Sequence, residues 1–244
     1  MQIVICIPHS YKVFNKQFTL SLLTILNYFH VWNGERGMKH KLNILVQNAG
    51  WIDHMREQLA DKAIKSGATH LLWLDTDMTF PPDIIVKMIK RFEEEPELEA
   101  VTGLYTWKKP PFLPHVYSSY NKETGRFSYG AGFPLDKSFP VAGAGFGCVM
   151  TAVELFKRVE RPWFKMELDG DDIKIGEDLY FCKKAQPIKM VCDPTISCLH
   201  LIETGFDIDS HIKYNNIKIT DNFLDISDEQ IESVAKEHLE EIKK

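Results

Sequence analysis

Three short apolar runs in the first hundred residues each break at a turn signal and give way to a helical pattern, and this alternation constrains the fold more than any other feature of the chain. Ile3 to Ile7 stops at Pro8 and leads into Phe14 to His30, where Leu20, Leu22, Leu23, Ile25 and Leu26 suit a buried helix. Leu42 to Gln47 breaks at Asn48-Ala49-Gly50 and precedes a helix from about Asp53 to Lys65, closed by Gly67 where a left-handed C-cap belongs. His70 to Leu74 ends at Asp75-Thr76-Asp77, and beyond Pro81-Pro82 a helix carries Ile84, Ile85, Met88, Ile89 and Phe92 on one face. Ala100 to Thr106 makes a fourth strand. Repeated strand-helix units with short connections predict an α/β domain, its mostly parallel sheet covered by helices on both faces. Ligands of such sheets lie at the carboxyl ends of the strands.

From Trp107 to Pro140 the character changes. Prolines, aromatics and alternating pieces such as HVYSSY and GRFSYG predict an antiparallel excursion instead of another crossover unit. The cluster Gly143-Ala144-Gly145-Phe146-Gly147 then leads into a strand and a helix near Val153 to Val159. Beyond Phe206 the chain turns polar until Ser227 opens a terminal helix, with Gln230 at capping-box spacing and Ile231, Val234, Ala235, Leu239 and Ile242 as its apolar stripe. The expected organisation is a domain over 1–206 and an extension over 207–244 whose helix covers either the main domain or a second subunit, as in a homo-oligomer.

With 44% hydrophobic and 26% charged residues the chain is an ordinary globular one, not a disordered or fibrous one. A net charge of −5 without an arginine-rich stripe argues against a nucleic-acid partner. No run approaches the ~18 to 20 apolar residues of a membrane span, and the opening MQIVICIPHSYK turns polar too soon for a signal peptide, so a cytoplasmic protein is expected. Five cysteines without a C-x-x-C pair point to buried thiols, not to a disulfide framework or a zinc knuckle.

The run LLWLDTDMTF delivers Asp75 and Asp77 one residue apart at the end of a hydrophobic strand. Two carboxylates there can hold Mg²⁺ or Mn²⁺, which take hard oxygen ligands, and a cation so held neutralises a diphosphate leaving group. The same residues also serve as an acidic turn capping the next helix, and D-x-D alone leaves both readings open. Gly176-Glu177-Asp178 precedes Leu179, Phe181, Cys182 and Ala185 in helical spacing. A plain acidic cap accounts for it, whereas beside a diphosphate site the pair supplies a general base for an acceptor hydroxyl. His200 follows the strand-like Lys189 to Cys192; it is either a satisfied polar residue or a neutral imidazole returned to the same sheet edge to complete the cation's coordination beside Asp77. The glycines of AGAGFGC permit close backbone approach or form a tight turn. Trp107, Lys108 and Lys109 stack on or pair with a substrate, or belong to a solvated loop. Arg56, flanked by His54 and Glu57 on the helix before the D-x-D strand, reaches a nucleotide or lies on the surface.

Taken in order, IVICIP, MREQLADKAIKSGATHLLWLDTDM, GAGFGCVMTAVELF, GEDLYFCKKA and the histidine after DPTISCLH resemble the GT-A glycosyltransferases, especially the family-two-like enzymes. The resemblance spans most of residues 1 to 205. It implies a GT-A fold, Rossmann-like, and a nucleotide-sugar donor, expected to be a UDP-sugar, whose diphosphate is bridged by Mn²⁺ or Mg²⁺. Asp75 then faces the ribose or the metal's water shell, Thr76 lies with it in the donor site, Asp77 ligates the metal and His200 matches a further metal ligand. Pro8 and His9, Ser10 and Tyr11 match the loop bordering the base, and Arg56 matches an arginine near the donor. Asp178 matches the base of inverting members, with Glu177 orienting the acceptor or the loop; Ala144, Gly145 and Phe146 match the segment that shapes the sugar pocket.

Two positions depart from the family pattern. Gln47-Asn48 stands where many members carry an aspartate that reads uracil, and Glu57 where an asparagine often follows the arginine. The implied activity is transfer of a sugar to an acceptor hydroxyl with inversion; the acceptor, whether saccharide, lipid-linked or protein, is not legible. LDTDMT also satisfies D-x-D-x-T, the signature of haloacid-dehalogenase-like phosphatases, in which Asp75 would be the nucleophile, although GDDIKIGED imitates their second acidic motif only loosely. A non-catalytic protein that binds nucleotide sugars or carbohydrates is the remaining alternative.

Overall fold

The computed structural model describes residues 1–9, 14–170, 172–201 and 224–225. In chain order the first elements are β1 (Gln2–His9), α1 (Lys16–Glu35), β2 (Lys41–Asn48), α2 (Ile52–Lys65), β3 (His70–Leu74), β4 (Met78–Thr79), α3 (Ile84–Glu94) and β5 (Ala100–Leu104). The excursion holds β6 (Val116–Tyr117), β7 (Ser119–Asn121), β8 (Arg126–Ser128), β9 (Gly130–Gly132), β10 (Phe139–Val141) and β11 (Gly143–Ala144). It is followed by β12 (Cys148–Ala152), α4 (Val153–Arg158), β13 (Glu167–Asp169), β14 (Asp172–Ile175), α5 (Glu177–Lys184), β15 (Met190–Ser197), β16 (Leu199–His200) and β17 (Leu224–Asp225).

A seven-stranded sheet in the order β10-β15-β5-β12-β3-β1-β2 forms the centre. Strands β2, β1, β3, β5 and β15 point one way, and β12 and β10 run against them. The sheet is therefore mostly parallel, as the strand-helix repeats predict. In the excursion β7 pairs with β8 and β6 with β11, while β9 pairs with β17 and β10 joins the central sheet beside β15, all antiparallel. The antiparallel insertion of β12 between β3 and β5 is not foreseen by local pattern, because the route of the excursion sets the direction in which the chain re-enters the sheet.

Side chains on the central strands divide by parity between two cores. Val4 and Cys6, Leu71 and Trp73, and Val149 face one of them, where Leu59, Ala60 and Ala63 of α2, Leu155 and Phe156 of α4 and Phe181 of α5 pack. Ile3, Ile5 and Ile7, Leu72 and Leu74, and Cys148 and Met150 face the other, against Phe18, Ile25 and Phe29 of α1 and Ile84, Ile85, Met88, Ile89 and Phe92 of α3. Covering both faces is why β1 reads as a continuous apolar run.

Helix α1 starts at Lys16, its Asn15 cap accepting from the Gln17 N–H at 2.7 Å. Leu20 and Leu23, expected in its buried face, are exposed, because a 100° step per residue places them opposite Phe18, Ile25 and Phe29. Gly67 has φ +83, the left-handed C-cap expected after α2. All five cysteines are buried and free. Among the described residues no helix is long and apolar enough to cross a membrane. The expected terminal helix from Ser227 and its role as a subunit contact lie outside the described residues, as do Ser10 and Tyr11.

Candidate functional site

Strand β3 ends the parallel run at the sheet's carboxyl edge, and the ladder continues one residue further, since the Asp75 N–H donates to the Gly147 carbonyl at 3.1 Å. That close approach depends on the glycine cluster. A Cβ on Gly147 would meet Met78 Sδ at 2.5 Å and the Tyr105 hydroxyl at 2.9 Å, and one on Gly145 would run into the same hydroxyl. The glycines thus pack against the protein's own Tyr105, whose hydroxyl accepts from the Gly147 N–H at 3.0 Å.

Beneath the edge lies Arg56, 2% exposed, on the inward face of α2. Its Nη2 donates to both Asp75 oxygens at 2.9 and 3.2 Å, its Nε to Glu177 Oε1 at 2.9 Å and its Nη1 to the Phe146 carbonyl at 3.4 Å. Its guanidinium carbon sits 5.8 Å from the centres of both the Trp73 and Phe146 rings. Of the two readings of Arg56 the surface one is therefore corrected: it is a buried bracket between the D-x-D turn and the start of α5. Glu177 is likewise buried and accepts from Arg56. Asp178 keeps one oxygen on the Leu179 N–H at 2.7 Å.

His200 returns to the same edge. The pairing of β16 with β4 sets His200 opposite Met78, and the Leu201 N–H donates to the Asp77 carbonyl at 2.7 Å. His200 Nδ1 lies 2.7 Å from the Thr106 carbonyl, which only accepts, so Nδ1 carries the proton and Nε2 faces Asp77 Oδ2 at 3.6 Å. Lys108 Nζ is 2.5 Å from the same Oδ2.

The carboxyls differ in proton affinity. Burial opposes ionisation of Asp77, but the neighbouring His200 and the hydrogen-bonded Lys108 ammonium outweigh it and hold this carboxyl well below the usual range. Burial pushes Asp75 up to about 6, with Arg56 opposing the rise and Asp77 and Glu177 adding to it. Burial and the neighbouring Glu177 push Asp178 up to about 7 against the pull of Arg56.

Asp77 and His200 suit a hard divalent cation of the Mg²⁺ or Mn²⁺ kind. Among the described residues no third His, Cys, Asp or Glu joins them in a closed cage. Two protein donors fit a cation that keeps waters and takes its remaining ligands from a substrate's phosphates.

Of the other expected site residues, Pro8 and His9 end β1 and are buried, with the His9 ring 4.3 Å from Phe14. Thr76 is buried in the turn. Ala144 and Phe146 are buried, the Gly145 N–H donates to the His115 carbonyl at 2.9 Å, and the Phe146 ring packs against Trp73 and Phe181. Gln47 accepts from Lys62 Nζ at 2.6 Å. Two residues escaped notice in the sequence. Tyr105 and His115 stack at 4.9 Å below Gly145 and Gly147, and burial, with His200 nearby, lowers His115 to about 3 and keeps it neutral.

No protein-family model and no curated protein matches the chain. Among solved structures it is similar to A197 from STIV, at 18% identity and a TM-score of 0.57, over 93% of this chain and 98% of that one. A protein from Bacillus anthracis, assigned as a glucose-1-phosphate thymidylyltransferase and solved with sucrose, matches at 10% identity and a TM-score of 0.44, over 90% of this chain and 96% of that one. The first of these likenesses establishes a shared fold. Fold and site together define a Rossmann-like α/β protein with an acidic cluster at the carboxyl edge of its sheet.

Proposed function

We propose that this chain is a metal-dependent glycosyltransferase of the GT-A kind, moving a sugar from a nucleoside-diphosphate sugar, a UDP-sugar in the first instance, to an acceptor hydroxyl with inversion. The observation that carries the reading is the convergence of Asp77 Oδ2 and His200 Nε2, 3.6 Å apart, at the edge from which Arg56 reaches across to the start of α5. Asp77 and His200 hold the cation. When bound, it supplies positive charge against the charge that develops on the departing diphosphate. The second oxygen of Asp178 takes the acceptor's hydroxyl proton as the new bond forms to the anomeric carbon and the bond to phosphate breaks on the opposite face. Arg56 fixes the separation between the Asp75 turn and α5, so that the cation and the base keep one geometry.

The phosphatase alternative is disfavoured by Asp75 itself. Both of its oxygens accept from Arg56 Nη2, and a nucleophile tied to a buried guanidinium has lost much of its reactivity. The test is thermal stabilisation of the full chain by UDP-, GDP-, CDP- and dTDP-sugars with and without Mn²⁺. A shift that needs one nucleotide and the metal together, and vanishes in Asp77→Ala, supports the reading. No metal-linked shift with any nucleotide overturns it.

A further inference from the structure

A concavity is lined by the chain neighbours of two cluster residues, Leu179 beside Asp178 and Trp107 beside Lys108. It encloses about 490 Å³, inside the range of roughly 300–1,000 Å³ typical of small-molecule sites. Trp107, Tyr117, Phe127 and Tyr129 of the excursion form one wall, and Lys174 and Ile175 of β14 belong to the other. Its connection to the site is covalent at both ends. Leu179, which lines it, follows Asp178 directly, and Trp107 precedes the Lys108 that holds Asp77.

The wall is made of rings fixed by one another. Tyr117 and Tyr129 lie 4.6 Å apart with their hydroxyls 3.0 Å from each other, and Trp107 meets Tyr129 nearly edge-on, at 79° and 5.8 Å. Trp107 nevertheless stays 36% exposed, so part of an indole already fixed in place is presented to a ligand. Around these apolar surfaces stand Arg126 and Lys174, which donate, and Asp169, which accepts. Mixed charge at the rim does not suit a polyanion, which calls for one sign of charge, or an acyl chain, which calls for none. Flat aromatic faces ringed by donors and acceptors suit a pyranose, with its C–H face and its rim of hydroxyls.

We infer that this cleft is the acceptor site and that the acceptor is a saccharide, a ring of which lies on Trp107 while its hydroxyls are held by the charged rim. Its role as an acceptor site rests on the transferase reading; its affinity for sugar does not. The test is titration of the full chain with maltotriose, cellotriose and triacetylchitotriose, without nucleotide or metal, following tryptophan fluorescence and heat. Saturable binding of at least one trisaccharide is expected, weakened about tenfold or more in Trp107→Ala and less in Trp107→Phe. Trp51→Ala, which removes an exposed indole that does not line the cleft, should leave it unchanged, and an unshifted melting temperature of the ligand-free variants shows that they fold. The inference is overturned if no trisaccharide binds, if binding survives in the Trp107→Ala Tyr129→Ala double variant, or if only a tyrosine-bearing peptide or an alkyl chain saturates the cleft. Nucleotide response without sugar binding overturns this inference alone. Sugar binding without nucleotide response overturns the transferase reading and leaves the saccharide site.

Discussion

Replacing Arg56 by methionine keeps much of the volume and removes the positive charge that the buried Glu177 and the half-buried Asp75 share. In the native protein the guanidinium makes three hydrogen bonds to Asp75 and Glu177, at 2.9, 3.2 and 2.9 Å, from a side chain 2% exposed. Breaking a buried pair by removing one partner costs about 3–5 kcal/mol, because the remaining charge is left uncompensated. For a chain of this size, at roughly 2–4 °C per kcal/mol, the melting temperature should fall by about 6–20 °C. The loss should depend on pH, with a sign fixed by linkage. Asp75 already binds its proton more tightly folded than unfolded, since it is pushed up to about 6, so its share of stability is present below the unfolded value and is lost as pH rises through about 6. Without Arg56 that rise moves to higher pH, and the destabilisation should grow from pH 5 to pH 8. Urea unfolding of wild type, Arg56→Met and Arg56→Lys at both pH values measures this. The lysine variant should lose the two-sided contact but restore much of the pH behaviour. A methionine variant that loses less than about 1 kcal/mol, or loses the same amount at both pH values, would refute the electrostatic role of the bracket.

Asp178→Asn should bind donor and cation normally while transfer falls by about 10²–10⁴-fold, as expected for loss of a general base. Because burial pushes the Asp178 carboxyl up to about 7, wild-type transfer should rise as pH passes through that value and the base ionises, a limb absent from the residual rate of the asparagine variant. Lys108→Ala should tighten Mn²⁺ binding by removing the ammonium that competes for Asp77 Oδ2; weaker binding would place the lysine on the ligand instead. Gly147→Ala drives a Cβ into Met78 and Tyr105 and should cost about 1–3 kcal/mol in chemical denaturation. The anomeric configuration of any product should be inverted, and retention would remove Asp178 from the role of base.

The elements that chain neighbours determine were legible in the sequence. The α3 stripe Ile84, Ile85, Met88, Ile89 and Phe92 is buried as a set, and Asp75 and Asp77 do end a buried strand at the sheet's carboxyl edge. What required distant parts of the chain to meet was not legible. The bond between Lys108 and Asp77 spans 31 positions and that between Arg56 and Glu177 spans 121, and no periodicity reports such pairs. Arg56 did leave a signal that went unused: it stands at helical spacing from Leu59, Ala60 and Ala63, on an otherwise apolar stripe, where an arginine needs a buried partner. Tyr105 and His115 gave none, since one follows β5 and the other follows a proline-rich turn.

On the transferase reading, the environments of the acidic cluster would suit chemically similar carboxyls to different tasks within one site. Asp77 accepts from the Lys108 ammonium and faces the His200 ring, so it stays ionised and suits a cation. Among the described residues no cation is in contact with Asp178. It accepts from the Leu179 amide, Glu177 precedes it in the chain, and Arg56 acts on it through space. A carboxyl so placed holds its proton more tightly and accepts one from a hydroxyl more readily, which is the property wanted of a base near neutral pH. Arg56 moderates the contrast. Its charge is shared between Asp75 and Glu177, so the two adjacent carboxyls at the start of α5 stand beside one compensating cation. Asp77 owes its ionisation to Lys108 and His200, so replacing Arg56 should leave Asp77 ionised, push Asp178 higher still and widen the contrast between them.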